Sequence, residues 1–171
     1  GDKGVAVNAY LQSTSNPKIY AAGDAADTQG APLTPVAVFE GKVAASNMLK
    51  GNRTKPDYSG VPSAVFTVPE LTRVGMLEQD AREAGHDIRV VENDTGDWYS
   101  NLRVGESCAA TKVIIDKDSD TILGAHLLGP EYGEIINFFG LAIRLGLTTS
   151  DLKKMVSVYP SVGSDLGSML S

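Results

Sequence analysis

The chain has 171 residues, of which 42% are hydrophobic and 21% charged, and these proportions are typical of a globular protein with a packed core. Its formal net charge of -6 argues against a broad nucleic-acid-binding surface, and no apolar run reaches the length of about 18 residues that suggests a membrane span. We therefore expect a protein that binds neither nucleic acid nor a membrane.

The cysteine and histidine content excludes two further classes of protein. Cys108 is the only cysteine, so the chain cannot form an internal disulfide, and this favours the reducing cytoplasm. The two histidines, His86 and His126, have no companions at metal-ligand spacing, so the sequence predicts no metal site. The opening residues also lack the basic and then apolar pattern of a signal peptide.

The first fifty residues predict two strands followed by a helix. Val5 and Val7 alternate with smaller or polar residues, which indicates a strand, and the apolar run Ile19 to Ala22 indicates a second one. The stretch "TPVAVFEGKVAASNMLKG", residues 34 to 51, predicts a helix with Thr34 as its cap and Gly51 at its end. Pro35 suits the first helical position.

The polar segment 52 to 62, with two prolines and a glycine, predicts a domain boundary. We expect the strand-strand-helix segment to occupy residues 1–55 and a separate α+β domain with a mainly antiparallel sheet to occupy residues 60–171. Its predicted strands lie in "SAVFTV", "TRVGM", "DIRVVEND", "TKVIID" and "TILGAHLL". Its predicted helices lie in "EQDAREAG", "PEYGEIINFFGLAIRLG", "TTSDLKKMV" and "SDLGSML", with a capping box between Thr148 and Asp151.

Gly23 and Asp24, which follow the second predicted strand, form a candidate ligand-binding turn. A glycine lets the backbone approach a ligand closely, and a carboxylate there can accept hydrogen bonds from sugar hydroxyls. The helix that begins near Pro35 offers unpaired N–H groups and a positive dipole end to an electron-rich group. The alternative is that Asp24 only caps a turn.

Four segments, in the right order, resemble the flavoprotein pyridine nucleotide-disulfide oxidoreductases. "KIYAAGDAAD" followed by "LTPVAVFEGKVAASNML" is similar to the family's second flavin-contacting motif, and "VPSAVFTVPELTRVGM" is similar to the start of its dimerisation domain. "TKVIIDKDSDTILGAHLLGPEYGEIINFFGLAIRLGLTTSDL" resembles that domain's central hairpin and helices, and "YPSVGSD" falls where the family has a His-Pro-Thr motif. The resemblance covers essentially the whole chain.

The resemblance implies that residues 1–55 are the C-terminal segment of an FAD-binding domain and that residues 60–171 are the dimerisation domain. It thus implies an FAD site, with NAD(P)H as the substrate of the longer parent protein. It implies that Asp24 binds the ribityl chain and that the following helix points its N-terminus at the pyrimidine side of the flavin, where reduced flavin carries negative charge. The implied FAD-contacting residues are Gly23, Asp24, Thr34, Pro35, Val36 and Ala37.

The resemblance also implies a homodimer formed through residues 60–171. The helix containing Ile135, Ile136 and Phe139 has more apolar positions than a single narrow stripe requires, which favours a second packing partner. Trp98 and Tyr99 are either anchors of this interface or core residues, and His126 packs or pairs at it. His86, in a polar loop after Gly85, is expected to be solvated.

Tyr159 occupies the position of the family's catalytic histidine, and the position of the orienting glutamate falls on Ser164, next to Asp165. Tyrosine can donate a hydrogen bond but is a poor base near neutral pH. We therefore predict a parent enzyme that reduces glutathione disulfide poorly. Tyr159 either acts as a hydrogen-bond donor or ligand beside the partner's flavin or only packs at the interface.

Two hallmarks of the family are absent from this sequence. No G-x-G-x-x-G fingerprint for FAD or NAD(P)H is present, and Cys108 alone cannot form the redox-active cysteine pair. We therefore expect the C-terminal part of a longer reductase, inactive alone and without tightly bound FAD, with Cys108 as a structural thiol. The alternatives are a stand-alone dimerisation module without flavin, and a parent that is a transhydrogenase or diaphorase.

Overall fold

The computed structural model describes residues 4–171 and divides into two compact units, Gly1–Tyr58 and Ser59–Ser171. In the first unit, strand β1 (Val5–Ala6) pairs in parallel with strand β2 (Ala26–Asp27). Helix α1 (Thr34–Lys50) follows and ends at Gly51, as predicted. A small apolar cluster packs beside it, formed by Leu11, Val43 and Ala44 with the partly buried Val7, Tyr20, Ala22 and Phe39.

The predicted strand at Ile19 to Ala22 is wrong. This segment is extended and its backbone pairs with residues 11 and 13, but it forms a single bridge, between Gln12 and Tyr20, and not a ladder. Its apolar character does not reflect burial in a sheet, since Ile19 is exposed. The second strand of the unit is β2 instead, so Asp24 lies in a one-turn 3-10 helix, Gly23–Ala25, that precedes this strand.

The predicted cap at Thr34 is also wrong. Leu33 is the N-cap residue, Thr34 and Pro35 are the first two helical residues, and no side chain accepts a hydrogen bond from the first turn. The chain already turns helical at Thr34, so its hydroxyl lies too far along the helix to serve as the cap. The N-terminus of α1 is therefore left uncapped.

The second unit is a five-stranded antiparallel sheet with helices, which confirms the predicted α+β class. The strands are β3 (Ser63–Val65), β4 (Glu70–Gly75), β5 (Ile88–Asp94), β6 (Ala110–Asp116) and β7 (Ile122–Gly129). The strand order is β3-β4-β7-β6-β5, so the β6–β7 hairpin and β4 form the centre of the sheet.

The helices of this unit lie on both faces of the sheet. Helix α4 packs against β4 and β7, where Phe139 and Ile136 join the main core. The side chains of a strand alternate between faces, so Val113 belongs to this core while the neighbouring Ile114 packs with Ala81 of α2 on the other face. The helices are α2 (Glu78–Glu83), α3 (Tyr99–Leu102), α4 (Tyr132–Leu145), α5 (Thr149–Leu152) and α6 (Leu166–Met169).

Side-chain hydrogen bonds fix the turns that connect these elements. The predicted capping box is confirmed, because Thr148 and Asp151 exchange side-chain and backbone hydrogen bonds at the start of α5. In the β6–β7 turn, Asp116 accepts from the backbone N–H of Ser119, which lowers the pKa of Asp116 to about 2 together with a bond to His86. His86, which was expected to be solvated, is only partly so: its side chain is 33% exposed, and its Nδ1 lies 2.8 Å from Asp116 Oδ2.

Candidate functional site

The Gly23–Asp24 turn has the backbone shape that the sequence analysis anticipated for a ligand contact. Gly23 has a φ of +62°, and a Cβ at this position would lie only 2.8 Å from the Cβ of Ala37. The turn can therefore pack closely against the first turns of α1 only because residue 23 is a glycine. Asp24 is exposed, and its carboxylate forms no hydrogen bond or ion pair with any other residue among 4–171.

The N-terminus of α1 presents unpaired backbone donors beside this turn. The first intrahelical bond runs from the Ala37 N–H to the Leu33 carbonyl, so the N–H groups of Thr34 and Val36 have no acceptor within the helix. Pro35 has no N–H. The uncapped end carries the positive partial charge of a 17-residue helix, which favours an electron-rich ligand.

A cavity of about 350 Å³ joins the turn to the start of the helix. Gly23, Asp24 and Val36 line it together, while Ala37 touches Gly23 from behind. Thr34 and Pro35 do not line the cavity, although the neighbouring Pro32 does. Of the six residues predicted to contact FAD, three therefore line one cavity, and Ala37 lies next to Gly23 without lining it.

Glu40 is a residue of this site that the sequence analysis missed. It is fully buried and accepts a 2.6 Å hydrogen bond from the Gly23 N–H, and its second oxygen accepts from Thr28 and Tyr58. Burial of the Tyr58 hydroxyl and its bond to Glu40 raise the pKa of Tyr58 to about 12. The signal was in the sequence: Glu40 lies between Val36 and Val43 on the apolar stripe of α1, where an acidic side chain needs partners.

Tyr159, the candidate catalytic residue, lies on the surface of the second unit. Its side chain is 75% exposed and stacks on Tyr99 of α3, with the ring centroids 6.4 Å apart. Among residues 4–171, no carboxylate is hydrogen-bonded to Tyr159: Asp165 instead accepts from the Ser100 hydroxyl, and the Ser164 hydroxyl donates to the Ser161 carbonyl. Trp98 is partly buried and packs against the core, whereas the neighbouring Tyr99 is exposed.

The remaining candidates form no site of their own. Cys108 is a free, exposed thiol. His126 places its Nε2 3.1 Å from the carbonyl oxygen of Met76. Within the described part of the chain, no three His, Cys, Asp or Glu side chains are grouped so as to hold a metal ion. No helix of residues 4–171 has the length and apolar character to cross a membrane.

The residues of the first unit fit one part of an FAD molecule. The free carboxylate of Asp24 suits ribityl hydroxyls, and the bare N–H groups of α1 suit the electron-rich pyrimidine edge. The sequence contains no glycine fingerprint for the pyrophosphate.

Comparison with known proteins shows the family to which the chain belongs. The family model for the pyridine nucleotide-disulphide oxidoreductase dimerisation domain matches residues 61–169. A 19.7 kDa protein from the mercuric resistance operon of Staphylococcus aureus is 53% identical over 98% of this chain, and the match covers 93% of that protein. Pisum sativum glutathione reductase is 34% identical over 98% of the chain, and Staphylococcus aureus mercuric reductase is 35% identical over 97%.

The chain spans only part of these reductases. It covers 30% of the length of both the glutathione reductase and the mercuric reductase. The HOCl-induced flavoprotein disulfide reductase RclA of Escherichia coli superposes with a TM-score of 0.85 at 29% identity, over 98% of this chain and 38% of that protein. The chain therefore belongs to the pyridine nucleotide-disulphide oxidoreductase family, and residues 61–169 are its dimerisation domain.

Proposed function

We propose that this chain is the C-terminal part of an FAD-dependent NAD(P)H oxidoreductase, in which it contributes one side of the FAD site and the surface that pairs two subunits. The observation that carries the proposal is the second apolar face of α4. The helix buries Ile135, Ile136 and Phe139 in the core, yet Phe138, Leu141 and Leu145 form a stripe on its exposed side at i, i+3 and i+7 spacing. An apolar stripe of this kind marks a protein–protein contact.

The pairing can be tested in solution with a matched pair of variants. Leu141→Glu places a charge in the stripe, while Leu49→Glu makes the same change at an exposed position of α1. We expect light scattering to show a dimer for the original chain and for Leu49→Glu, and Leu141→Glu to weaken the dimer about thirtyfold or more, which corresponds to about 2 kcal/mol. A monomer at all concentrations for the original chain contradicts the proposal.

The flavin contribution rests on the free carboxylate of Asp24 beside the uncapped end of α1. The chain alone is expected to be colourless, because these contacts cannot replace a pyrophosphate site. Weak binding remains measurable by NMR as FAD-induced shifts of the amides of residues 23–28. Asp24→Asn should abolish these shifts, since a charge-assisted hydrogen bond contributes about 1.5–3 kcal/mol. Asp97→Asn, at an exposed carboxylate of the second unit, is the control.

Within the same proposal, the parent enzyme acts on an acceptor that needs no dithiol acid–base. Tyr159 supports this, since it stacks on Tyr99 and no carboxylate among residues 4–171 is hydrogen-bonded to it. The test joins this chain to the upstream part of a family reductase. We expect slow reduction of glutathione disulfide, unchanged by Tyr159→Phe. Fast reduction that Tyr159→Phe abolishes contradicts this.

A second candidate is a dimerisation module that works without flavin. One comparison favours it. The 19.7 kDa Staphylococcus aureus operon protein is matched by this chain over 93% of its length, so that relative has little sequence outside the matched region. The module predicts a dimer whose residues 23–28 show no response to FAD, whereas the oxidoreductase proposal predicts both the dimer and the response.

A further inference from the structure

Glu40 is the only acidic or basic side chain that is fully buried among residues 4–171. It lies on the buried face of α1, one turn after Val36 and one turn before Val43 and Ala44. A buried carboxylate contributes little to stability compared with an apolar side chain of similar size, because its removal from water is costly. Packing alone therefore does not account for a glutamate at this position.

The hydrogen bonds of Glu40 converge from three separate segments. Oε2 accepts from the backbone N–H of Gly23 at 2.6 Å, and Oε1 accepts from the Thr28 hydroxyl at 2.8 Å and from the Tyr58 hydroxyl at 2.6 Å. Thr28 in turn accepts from the backbone N–H of Gly30. One carboxylate thus fixes both ends of the loop that runs from residue 23 to residue 30.

The surroundings leave little room for Glu40 to move. A Cβ at Gly30 would lie 2.7 Å from Glu40 Oε1 and 2.9 Å from Cε1 of Tyr58. An alanine at position 30 would therefore force the Glu40 carboxylate or the Tyr58 ring to shift.

The consequence of this arrangement falls on Asp24. Glu40 holds the Gly23 peptide at a φ of +62°, and the next side chain, Asp24, lines the same cavity as Glu40. We propose that Glu40 is a positioning residue that fixes the Gly23–Asp24 turn so that the Asp24 carboxylate faces the ligand cavity. This inference rests on the proposed flavin function and deepens it, since Glu40 acts on the ligand only through the turn.

Two substitutions at position 40 separate positioning from charge. Glu40→Leu removes every acceptor. Glu40→Gln can keep its oxygen on the Gly23 N–H and turn its amide toward Thr28 and Tyr58, because hydroxyl groups can accept as well as donate. The backbone N–H cannot reverse its role, so glutamine should rescue the turn and leucine should not.

Two glycine substitutions test the same point without altering Glu40. Gly30→Ala crowds Oε1 of Glu40. Gly41→Ala, at the residue that follows Glu40 in α1, adds a Cβ with no heavy atom within 4 Å. The first should behave like Glu40→Leu, whereas the second should keep the Gly23 hydrogen bond and the FAD response of the original chain. This pair also keeps the test informative if Glu40→Leu prevents the first unit from folding.

The experiment measures amide hydrogen exchange and FAD-induced NMR shifts in the full chain. Glu40→Leu and Gly30→Ala should speed exchange at Gly23 about tenfold or more, as loss of a hydrogen bond to a charged group predicts, and should abolish the FAD shifts of residues 23–28. Glu40→Gln and Gly41→Ala should retain both. Trp98 fluorescence, which reports on the second unit, should show unchanged unfolding in all four variants.

The outcomes separate this inference from the proposed function. FAD shifts that survive Glu40→Leu but vanish in Asp24→Asn overturn the role of Glu40 and leave the flavin site intact. An unchanged exchange rate at Gly23 in Glu40→Leu also overturns it. If the original chain shows no FAD shift at residues 23–28, the flavin function fails and the positioning role for a flavin fails with it.

Discussion

Each of the two units is stabilised internally by a different kind of interaction. The second unit has one large apolar core, in which α4 packs on a five-stranded sheet. The first unit has a two-stranded sheet and a small apolar cluster around Leu11, but two buried polar side chains of α1, Glu40 and Asn47, each connect several segments. In the first unit, buried polar contacts thus fix the loops, whereas the second unit is stabilised mainly by its apolar core.

The largest expected effect follows from removing the centre of the apolar core. Phe139 is fully buried in the second unit, so Phe139→Ala should destabilise that unit by about 3–5 kcal/mol. Trp98, the only tryptophan, packs against this core, and its fluorescence during denaturant unfolding measures the change. Amide exchange at residues 43–47 reports on the first unit in the same sample. Losses of equal size in both units would show that the comparison is wrong.

Asn47 provides the matching test for the first unit. Its side-chain amide donates to the carbonyls of Tyr10 and Thr54, and its oxygen accepts from the N–H groups of Arg53 and Thr54. Asn47→Ala leaves these groups without partners, and we expect a loss of about 2–3 kcal/mol, measured by amide exchange in the first unit.

Asn52→Ala is the control for this change. Asn52 is exposed and makes its hydrogen bonds at the surface, so its removal should cost less than about 1 kcal/mol. Equal losses for the two variants would contradict the role of burial in the Asn47 contacts.

Apolar patterns predicted the second unit better than the first, and the difference between the units explains why. Apolar runs such as "TKVIID" predicted all five strands of the second unit and its long helix, because burial against a core imposes a regular apolar pattern. In the first unit, Ile19 to Ala22 looked like a strand but is held by only one bridge, and Glu40 was overlooked because its partners are 12 to 18 residues away in the sequence. Apolar periodicity does not report such contacts.

One glycine in each of the two long helices gives a further test of the comparison, with a smaller expected change in stability. Gly41 in α1 has open space around its Cβ position, so Gly41→Ala should stabilise the first unit by about 1 kcal/mol through helix propensity. In α4, a Cβ at Gly140 would lie 2.8 Å from the carbonyl oxygen of Gly60, so Gly140→Ala should destabilise the second unit. Amide exchange and Trp98 fluorescence measure the two changes. A gain in both helices would show that α4 packs less tightly than the structure indicates.

The smallest expected effect is the acid sensitivity of the β6–β7 turn in the second unit. The Ser119 N–H, His86 and the Ser119 hydroxyl hold the pKa of Asp116 at about 2, below its ordinary value of 3.8. Because the folded state lowers this pKa, its contribution to stability is complete above about pH 4 and is lost as the pH falls through 2. Asp116→Asn should therefore flatten the decline of the unfolding midpoint between pH 4 and pH 2, measured by Trp98 fluorescence. Asp97→Asn, at an exposed carboxylate, should leave the decline unchanged, and an equally steep decline in Asp116→Asn would show that the turn does not set the acid sensitivity.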